Sequence, residues 1–450
     1  MIPNRIMKKS SLSPLTRRAF LRGAVSAAVA MPTLVPSIVL GANAPSNRIT
    51  LGCIGVGRMG RGDAKDFLRF TNIQIIAVCD VDSKRMADGK TLVDQHYATG
   101  APTGTDRGCS EHGDFRDLLA RSDIDAVSIV SPDHWHALHA IAAVRAGKDV
   151  FVQKPMTYTI AEGRQLCEAV GRTGRILQVG SQQRSDAKFR LACELVRNGR
   201  IGKLQTVKVG FGLDPSGEIE PDMAVPANLN YNFWLGPAPE APYTENRVHP
   251  QHDYGRPGWL RIQDYCHGMI TGWGSHHMDI AQWGMGVERS GPVTIQAHAE
   301  FPSRGLWNVH SRFHIEYGYA NGVQLICAGT DENKQGVEFI GSEGRVHVRR
   351  GFIETEPESL LHADLQSHKD RLPVSRDHKG NFLESIRSRK DPIAPVEIGH
   401  RSNTACVLGS IAMRLGRRLS WDPANESFAN DAEATALLSR PMRAPWSLHG

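Results

Sequence analysis

A hexapeptide with three glycines directly follows a short apolar run that is typical of a β-strand. The run is Arg48–Ile54, and the hexapeptide, Gly55–Gly60, has the sequence GVGRMG. In a G-x-G-x-x-G segment between a strand and a helix, the first glycine permits a tight turn and the second lets the backbone approach a pyrophosphate. The third lets the helix pack closely on the strand, and the helix N-terminus adds amide donors and a partial positive charge. The spacing therefore indicates a dinucleotide site, with an ordinary turn as the alternative.

An aspartate ends the second strand-like run. Gln74–Cys79 is apolar and leads into Asp80, twenty residues beyond Gly60. An acid at this spacing can accept hydrogen bonds from the adenosine ribose hydroxyls, and its charge repels a 2′-phosphate. Asp80 therefore favours NAD over NADP. The alternative is that Asp80 and Asp82 only open a turn.

Strand and helix patterns alternate through the first part of the chain. Apolar runs typical of buried strands recur at 125–130, 149–152 and 176–179, with helical patterns between them. This alternation predicts an α/β fold with a doubly wound parallel sheet, the Rossmann architecture. Ligands of such sheets lie beyond the carboxyl ends of the strands. The cofactor contacts expected there are Gly55, Gly57, Arg58, Met59, Gly60, Asp80, Ser131, Pro132, His134, His136, Gln153 and Lys154.

The second part of the chain predicts a different architecture. A long irregular segment at 212–275 is followed by strand-like runs that are joined by hairpin signals such as Asn321-Gly322. We expect an α+β domain with a large, mostly antiparallel sheet of about six strands. The helical pattern at 401–414 is expected to pack back against the first domain. The predicted boundaries are 45–184 for the NAD-binding domain and 185–450 for the C-terminal domain.

Four segments, taken in order, resemble one known family. They are GVGRMG with Asp80, SPDHWH at 131–136, Gln153-Lys154-Pro155, and GWGSHHMDIAQW at 272–283. Together with the C-terminal sheet, they make residues 46–446 similar to the glucose–fructose oxidoreductase / inositol dehydrogenase / rhizopine-catabolism (Gfo/Idh/MocA) family. The resemblance implies an NAD-dependent oxidoreductase that acts on a sugar hydroxyl. It also implies self-association, into a dimer or tetramer, through the open face of the C-terminal sheet.

The resemblance also implies roles for two reactive side chains. In the family, the lysine of an E-K-P motif hydrogen-bonds the reacting hydroxyl beside the nicotinamide. A downstream D-x-x-x-H pair, with the histidine as general base, completes the site. Lys154 matches this lysine and His276 the histidine, which Asp279 follows as the pattern expects. Two positions depart from the pattern, because Gln153 stands where glutamate is usual and Gly272 stands where the acid would be.

Oxidation of a secondary alcohol needs a route for the hydroxyl proton. An imidazole with a pKa of about 6.5 can accept that proton at neutral pH. A lysine beside a cationic nicotinamide has its ammonium form disfavoured by like charge. We therefore expect His276 to be the base and Lys154 to stabilise the developing alkoxide. In the alternative, Lys154 takes the proton and His276 only hydrogen-bonds the substrate.

Sugar sites combine polar groups for the hydroxyls with aromatic faces for the ring. The candidate substrate contacts are Lys154, Gln182, Arg184, Arg261, Asp264, Tyr265, His276, His277 and Asp279. Asp279 has two alternatives, which are to orient a histidine or to cap its helix. Zinc sites need three or four convergent ligands, and nothing in the sequence fixes such a convergence among the 19 histidines. We expect no metal site.

The positive charge of the chain lies at its N-terminus. The sequence has 53 basic and 47 acidic residues, and residues 1–44 contain six of the basic ones and no acid, which leaves 47 of each in the remainder. Because residues 45–450 carry no net charge, we do not expect them to form the broad positive surface that binds nucleic acid. Thr16-Arg17-Arg18 precedes a weakly apolar run at 24–40, a pattern that resembles a twin-arginine export signal. We expect export of the folded protein by the twin-arginine machinery to the periplasm or another extracytoplasmic site. A chance Arg-Arg pair or an uncleaved membrane anchor is the alternative.

These features lead to one functional expectation and two alternatives. The chain is expected to be an exported NAD-dependent oxidoreductase that oxidises a secondary hydroxyl of a sugar or glycoside, with C3 as a candidate carbon. Because no ready pool of free NAD exists outside the cytoplasm, the cofactor should stay bound through turnover. The first alternative is an NAD-dependent glycoside hydrolase or lyase that works by transient oxidation and elimination. The second is a sugar-binding protein that keeps the fold without catalysis.

Overall fold

The computed structural model describes residues 48–99, 108–363 and 370–448. The predicted export signal at 1–44 lies outside these ranges. Within them, no helix combines the length and the hydropathy that a membrane crossing requires.

Six parallel strands form the first sheet. They are β1 (Ile49–Ile54), β2 (Ile73–Cys79), β3 (Ser110–His112), β4 (Ala126–Ile129), β5 (Asp149–Val152) and β6 (Leu177–Val179). Their order across the sheet is β3-β2-β1-β4-β5-β6, and every neighbouring pair is parallel. Strands β1 to β3 follow one another toward one edge of the sheet, and β4 to β6 follow one another toward the other edge. The strand order therefore reverses between β1 and β4, which is the topological switch point. The predicted doubly wound sheet is confirmed.

Five helices cover this sheet. They are α1 (Arg58–Leu68), α2 (Ser83–Thr99), α3 (Phe115–Leu119), α4 (His136–Arg145) and α5 (Ile160–Thr173). The start of α5 is fixed by a capping box, in which the Thr159 side chain accepts from the Glu162 amide and Glu162 reaches back to the Thr159 amide. By contrast, no side chain caps the start of α1. Its first amide groups are therefore left without a helix partner.

The second sheet is larger than expected. It contains β7 (Leu204–Phe211), β8 (Thr294–Ala299), β9 (Phe313–Gly318), β10 (Gln324–Gly329), β11 (Gly336–Gly341), β12 (Arg345–Arg349), β13 (Phe352–Glu356), β14 (Leu419–Asp422) and β15 (Ser427–Phe428). The order is β13-β12-β11-β7-β10-β9-β8-β14-β15, and only β7 and β10 pair in parallel. The mostly antiparallel sheet is confirmed, but about six strands was too few. The missed strands are short or half exposed, so they show weak apolar alternation.

Seven further helices lie in the described part of the chain after β6. They are α6 (Ala187–Arg197), α7 (Tyr231–Leu235), α8 (Met269–Gly272), α9 (Gly274–Met285), α10 (His378–Ser388), α11 (Val396–Leu415) and α12 (Ala432–Ala436). Helix α11 is buried along most of its length and packs against α5 and β6 on one side and against α9 and β8 on the other. One face of the large sheet packs on these helices, and the other carries alternating polar residues such as Gln296, His298 and Glu316. Self-association through that face stays a prediction.

Candidate active site

A cavity of about 920 Å³ opens at the carboxyl ends of β1, β4 and β5 and reaches α8 and α9. The loops that follow the three strands line one part of it. The other part is lined by Met269, Gly272, Trp273 and His276 of the α8–α9 region and by Arg350 of the β12–β13 turn. The sheet thus contributes one wall, and the C-terminal half contributes the other.

The glycine loop has the geometry that its sequence predicts. Gly55 has a φ of +83°, a left-handed conformation that favours glycine. A Cβ on Gly60 would lie 2.0 Å from the carbonyl oxygen of Gly55, so helix α1 can approach this closely only with glycine there. Around Gly57 the space is open, because a Cβ added to this residue would meet no atom within 4 Å. Together with the uncapped start of α1, this open space forms a cradle that a pyrophosphate would fit.

Asp80 fixes the glycine loop to the end of β2. One carboxylate oxygen accepts from the Val56 amide at 2.9 Å, and the other accepts from the Asp82 amide at 3.0 Å. Burial raises the pKa of Asp80, and these two hydrogen bonds oppose that rise. Asp82 does more than open a turn, since its carboxylate lies 2.9 Å from His249 Nε2. Burial would raise the pKa of Asp82, but hydrogen bonds from His249 and Asn228 lower it to about 2.

His136 joins the two loops that follow β4 and β5. Its Nδ1 lies 2.7 Å from the Pro155 carbonyl oxygen, and its Nε2 lies 2.8 Å from the Ser131 carbonyl oxygen. His136, Ser131 and Pro132 line the cavity, as predicted cofactor contacts should. His134 does not line it, because its ring is buried and Nε2 lies 3.2 Å from the Trp234 carbonyl oxygen.

Lys154 and His276 face the same cavity. The amine of Lys154 forms no hydrogen bond or ion pair within the described part of the chain, and Nδ1 of the buried His276 has no partner there. Burial lowers the pKa of Lys154, and the charges of Arg350 and Arg256 lower it further, against the opposing effect of Asp133. Burial and the charge of Lys154 lower the pKa of His276 well below its ordinary value. Both side chains are therefore shifted toward their neutral forms.

The structure gives a physical reason for glutamine at position 153. Gln153 Nε2 donates to an Asp63 carboxylate oxygen at 2.8 Å, and Lys379 pairs with the other oxygen of Asp63 at 2.8 Å. Gln153 Oε1 accepts from the Lys154 amide at 3.2 Å. A glutamate at this position would set two carboxylates against each other. The amide instead donates to one neighbour and accepts from the other, which holds the backbone of Lys154.

Gly272 leaves free space beside His276. A Cβ at this position would have one neighbour within 4 Å, Met269 Sδ at 3.9 Å, and Gly272 lines the cavity. The acid that the family pattern expects at this position is absent.

Several predicted substrate contacts lie away from the cavity, and for these the expectation of direct contact is not supported. Arg184 and Asp279 are buried and pair with each other at 2.7 and 2.9 Å, and Ser402 donates to the same carboxylate at 2.7 Å. His277 is buried with Nδ1 3.1 Å from the Gly210 carbonyl oxygen. The polar atoms of these groups thus make hydrogen bonds within the protein.

The predicted contacts in the loop before α8 also lie elsewhere. Arg261 stacks over the ring of Trp307 at 4.2 Å, and Tyr265 is buried against Trp234. Neither residue, nor Asp264, is among those that line the cavity. Gln182 does line the cavity. Of the cofactor contacts predicted in the glycine loop, Gly55, Gly57, Arg58 and Met59 line it, and Gly60 is buried behind Gly55.

Sequence reasoning missed several polar residues of the cavity wall, among them Asp133, Arg256, Arg350 and Lys379. Asp133 lies within the SPDHWH segment, so its loop position was a usable signal. Burial raises the pKa of Asp133 to about 8, although the charge of Lys154 opposes the rise. Arg350 follows a strand far from every motif, and no local pattern could have indicated it.

Two family models match the chain. Residues 49–181 match the oxidoreductase family's NAD-binding Rossmann fold, and residues 209–448 match its C-terminal alpha/beta domain. The chain belongs to the Gfo/Idh/MocA oxidoreductase family. The resemblance of the four motifs is thereby confirmed, and so is NAD as the cofactor. The open cradle at Gly57, the uncapped α1 and the Asp80 carboxylate fit NAD in this chain.

Relatives in the family have several activities. An uncharacterized oxidoreductase of Bacillus subtilis, YrbE, is 32% identical over 167 residues, 36% of this chain and 44% of YrbE. Inositol 2-dehydrogenase 3 of Saccharopolyspora erythraea is 34% identical over 156 residues, 34% of this chain and 42% of that protein. A glycosyl hydrolase family 109 protein of Shewanella pealeana is 32% identical over 174 residues, 38% of this chain and 37% of that protein. The chain thus matches less than half of the length of each relative.

Solved structures share the fold at low sequence identity. The dehydrogenase WlbA of Bordetella pertussis, solved with NADH and UDP-GlcNAcA, has a TM-score of 0.60 at 17% identity, over 83% of this chain and 99% of WlbA. The aldose-aldose oxidoreductase of Caulobacter crescentus has a TM-score of 0.59 at 17% identity, with the same coverage. These similarities establish the two-domain fold and leave the substrate open.

Proposed function

We propose that this chain is an exported NAD-dependent dehydrogenase that oxidises a secondary hydroxyl of a sugar or glycoside, with C3 as the candidate carbon. The observation that carries the proposal is that Lys154 and His276 line one cavity, while the amine of Lys154 and Nδ1 of His276 have no partner among the described residues. The glycine loop lines the same cavity. Unpartnered titratable groups in a cleft are typical of catalytic sites. When bound, NAD accepts the hydride from the carbinol carbon.

The pKa directions favour a division of labour between the two side chains. Burial lowers the pKa of Lys154, which brings a lysine toward the range of an effective base. Burial also lowers the pKa of His276 well below its ordinary value, which keeps the ring neutral but makes it a weak proton acceptor. In our proposal Lys154 takes the hydroxyl proton and His276 hydrogen-bonds the substrate. This is the alternative assignment of the sequence analysis.

The cofactor is proposed to stay bound through turnover. Support comes from the segment at 16–40, which resembles a twin-arginine signal, because that pathway exports folded proteins. If the protein carries its NAD to the periplasm, or to another extracytoplasmic site, a second substrate or an external acceptor must reoxidise the bound NADH after each turnover. Replacing Arg17 and Arg18 together by lysine should retain the protein in the cytoplasm. Fractionation of cells that express either form tests this.

A glycoside hydrolase is the second candidate function. The observation that favours it is the match to glycosyl hydrolase family 109 proteins of Shewanella species at 29–32% identity. Oxidation at C3 acidifies the proton on C2, and elimination across C1 and C2 then releases the aglycone. Water adds at C1, and return of the hydride to C3 ends the cycle. The same base and hydrogen-bond donor would serve both reactions.

The test is a panel of methyl glycosides offered to protein purified without added nucleotide. We expect acid extraction of the protein to release NAD or NADH in near-stoichiometric amount. Net formation of NADH with a keto-sugar product supports the dehydrogenase, and a cleaved glycoside without net NADH supports the hydrolase. A protein that contains no nucleotide, binds NAD weakly and changes no glycoside would overturn both. Light scattering of the same sample tests the proposed dimer or tetramer.

A further inference from the structure

Two arginines of the cavity wall near Lys154 and His276 have no carboxylate partner within the described residues. Arg256 and Arg350 line the same cavity as Lys154 and His276. Arg256 Nη2 lies 3.4 Å from Met269 Sδ, and the guanidinium of Arg350 lies 4.8 Å above the ring of Trp273. Neither arginine forms an ion pair in this part of the chain. Both side chains are partly exposed, so each can meet a ligand that enters from solvent.

These charges lie close enough to the reactive pair to act on it. The positive charges of Arg350 and Arg256 lower the pKa of Lys154 after the larger effect of burial. Arg350 also lowers the pKa of His276, after burial and Lys154. Two cationic arginines therefore lie at the end of the cavity that holds Lys154 and a histidine that stays neutral.

No acid among the described residues forms an ion pair with either arginine. Asp133 lines the cavity, but burial raises its pKa to about 8, which leaves it mostly protonated at neutral pH. Asp214 is buried outside the cavity wall, where one oxygen accepts from the Met269 amide at 2.6 Å. The position where the family pattern has an acid is Gly272, which has no charge. Asp63 and Asp66 also line the cavity, but both pair with Lys379, so the two arginines near His276 keep guanidinium groups without an acidic partner.

A cleft with unbalanced positive charge attracts and orients anions. The planar guanidinium group matches the oxygen pair of a carboxylate or phosphate, and such charge-assisted bonds are about twice as strong as neutral ones. A neutral sugar would not use this charge. We propose that the sugar oxidised here carries an anionic group, a carboxylate or a phosphate, which Arg350 and Arg256 bind. This inference rests on the proposed function, since it names the class of substrate for the same site.

Paired substrates that differ only in the anionic group test the proposal. Methyl glucuronide is compared with methyl glucoside for the carboxylate, and glucose 6-phosphate with glucose for the phosphate. We expect kcat/KM to be about 10- to 100-fold higher for one anionic member than for its neutral partner, and this preference should fall with added salt. The pair that shows the preference identifies the anion as carboxylate or phosphate.

Variants show whether the named arginines cause the preference. Arg350→Gln, and separately Arg256→Gln, should raise KM about 10-fold or more further for the anionic substrate than for the neutral one, because any change in the pKa of Lys154 affects both substrates alike. Arg349→Gln is the matched control, because Arg349 is the adjacent residue, is exposed, and stacks on Phe352 outside the cavity. It should leave both substrates unchanged.

The outcomes separate this inference from the function on which it rests. If neutral and anionic sugars are oxidised equally well, or if Arg350→Gln affects both equally, the inference is wrong and the dehydrogenase stands. If no sugar changes the bound nucleotide, the proposed function fails, and quenching of tryptophan fluorescence by D-glucuronate or inorganic phosphate still tests the arginines. Equal affinity of the wild type and Arg350→Gln for both anions would overturn the inference in that case as well.

Discussion

Helix α9 carries two buried polar groups, three residues apart, that the structure puts to opposite uses. His276 faces the cavity, and its Nδ1 has no partner in the described chain. Asp279 accepts two hydrogen bonds from Arg184 and one from Ser402. A buried polar group with all its partners holds the structure together, whereas one without partners is a candidate for function. The residue types alone do not separate the two cases.

The same contrast distinguishes two arginines that stack on tryptophan. Arg184 lies 4.9 Å from the ring of Trp283 and is fully paired with Asp279. Arg350 lies 4.8 Å from the ring of Trp273 and has no carboxylate partner within the described residues. Because the two arginines stack in the same way, the difference in pairing separates their roles. Arg184 stabilises the interior, and Arg350 is available to bind a ligand. Substitution of a paired group should therefore affect stability most, and substitution of an unpaired group should affect function most.

Removal of the unpaired lysine should have the largest effect on activity. Lys154→Met should lower kcat by about 10²- to 10⁴-fold, because it removes the group that handles the hydroxyl proton. The free energy of unfolding should stay the same or rise, since burial disfavours the ammonium form. Single-turnover reduction of the bound cofactor and urea unfolding measure the two effects. Lys390→Met, at an exposed position, is the control. A variant that loses stability in step with activity would contradict the assignment.

Breaking the paired arginine should give the largest effect on stability. Arg184→Met leaves the buried Asp279 carboxylate without its partner and should lower the free energy of unfolding by about 3–5 kcal/mol. Arg184→Met with Asp279→Leu should recover much of that loss, because no charge is then left buried alone. Arg350→Met should change stability by less than about 0.5 kcal/mol. Equal losses in Arg184→Met and Arg350→Met would remove the distinction between the two arginines.

Asp133 should make stability depend on pH in a way that asparagine does not. Its pKa of about 8 in the folded chain lies above the ordinary value near 4. The unfolded chain is therefore ionised between these values while the folded chain keeps the proton, so stability falls as the pH rises from about 4 to about 8. Asp133→Asn should be more stable than the wild type by up to a few kcal/mol at about pH 8, with the difference vanishing near pH 4. Urea unfolding across this range measures it, and a difference that is constant with pH would be the contrary result.

Local patterns predicted the parts of the molecule that local forces determine. The alternation of apolar runs and the GVGRMG segment indicated the parallel sheet, and parallel strands must bring the loops at Ser131 and Lys154 to one edge. Pairing between distant residues has no local signal. The Arg184–Asp279 pair joins positions 95 residues apart, and Arg350 enters the cavity from a turn between two strands of the other sheet. Neither the Arg184–Asp279 pair nor the position of Arg350 could therefore be predicted from the sequence.

The smallest predicted effects come from filling the open space at Gly272. A Cβ there meets only Met269 Sδ at 3.9 Å, so Gly272→Ala should fit and should raise the free energy of unfolding by up to about 1 kcal/mol through helix propensity. Gly272→Asp restores the acid of the family pattern beside His276. A carboxylate favours the imidazolium form, so the pKa of His276 should rise from its lowered value toward the ordinary one. If the neutral ring is required, the acid limb of kcat/KM against pH should move to higher pH in Gly272→Asp and stay in place in Gly272→Ala. An unmoved limb in both variants would mean that the protonation of His276 does not limit the reaction, and the proton transfer would then rest on Lys154 alone.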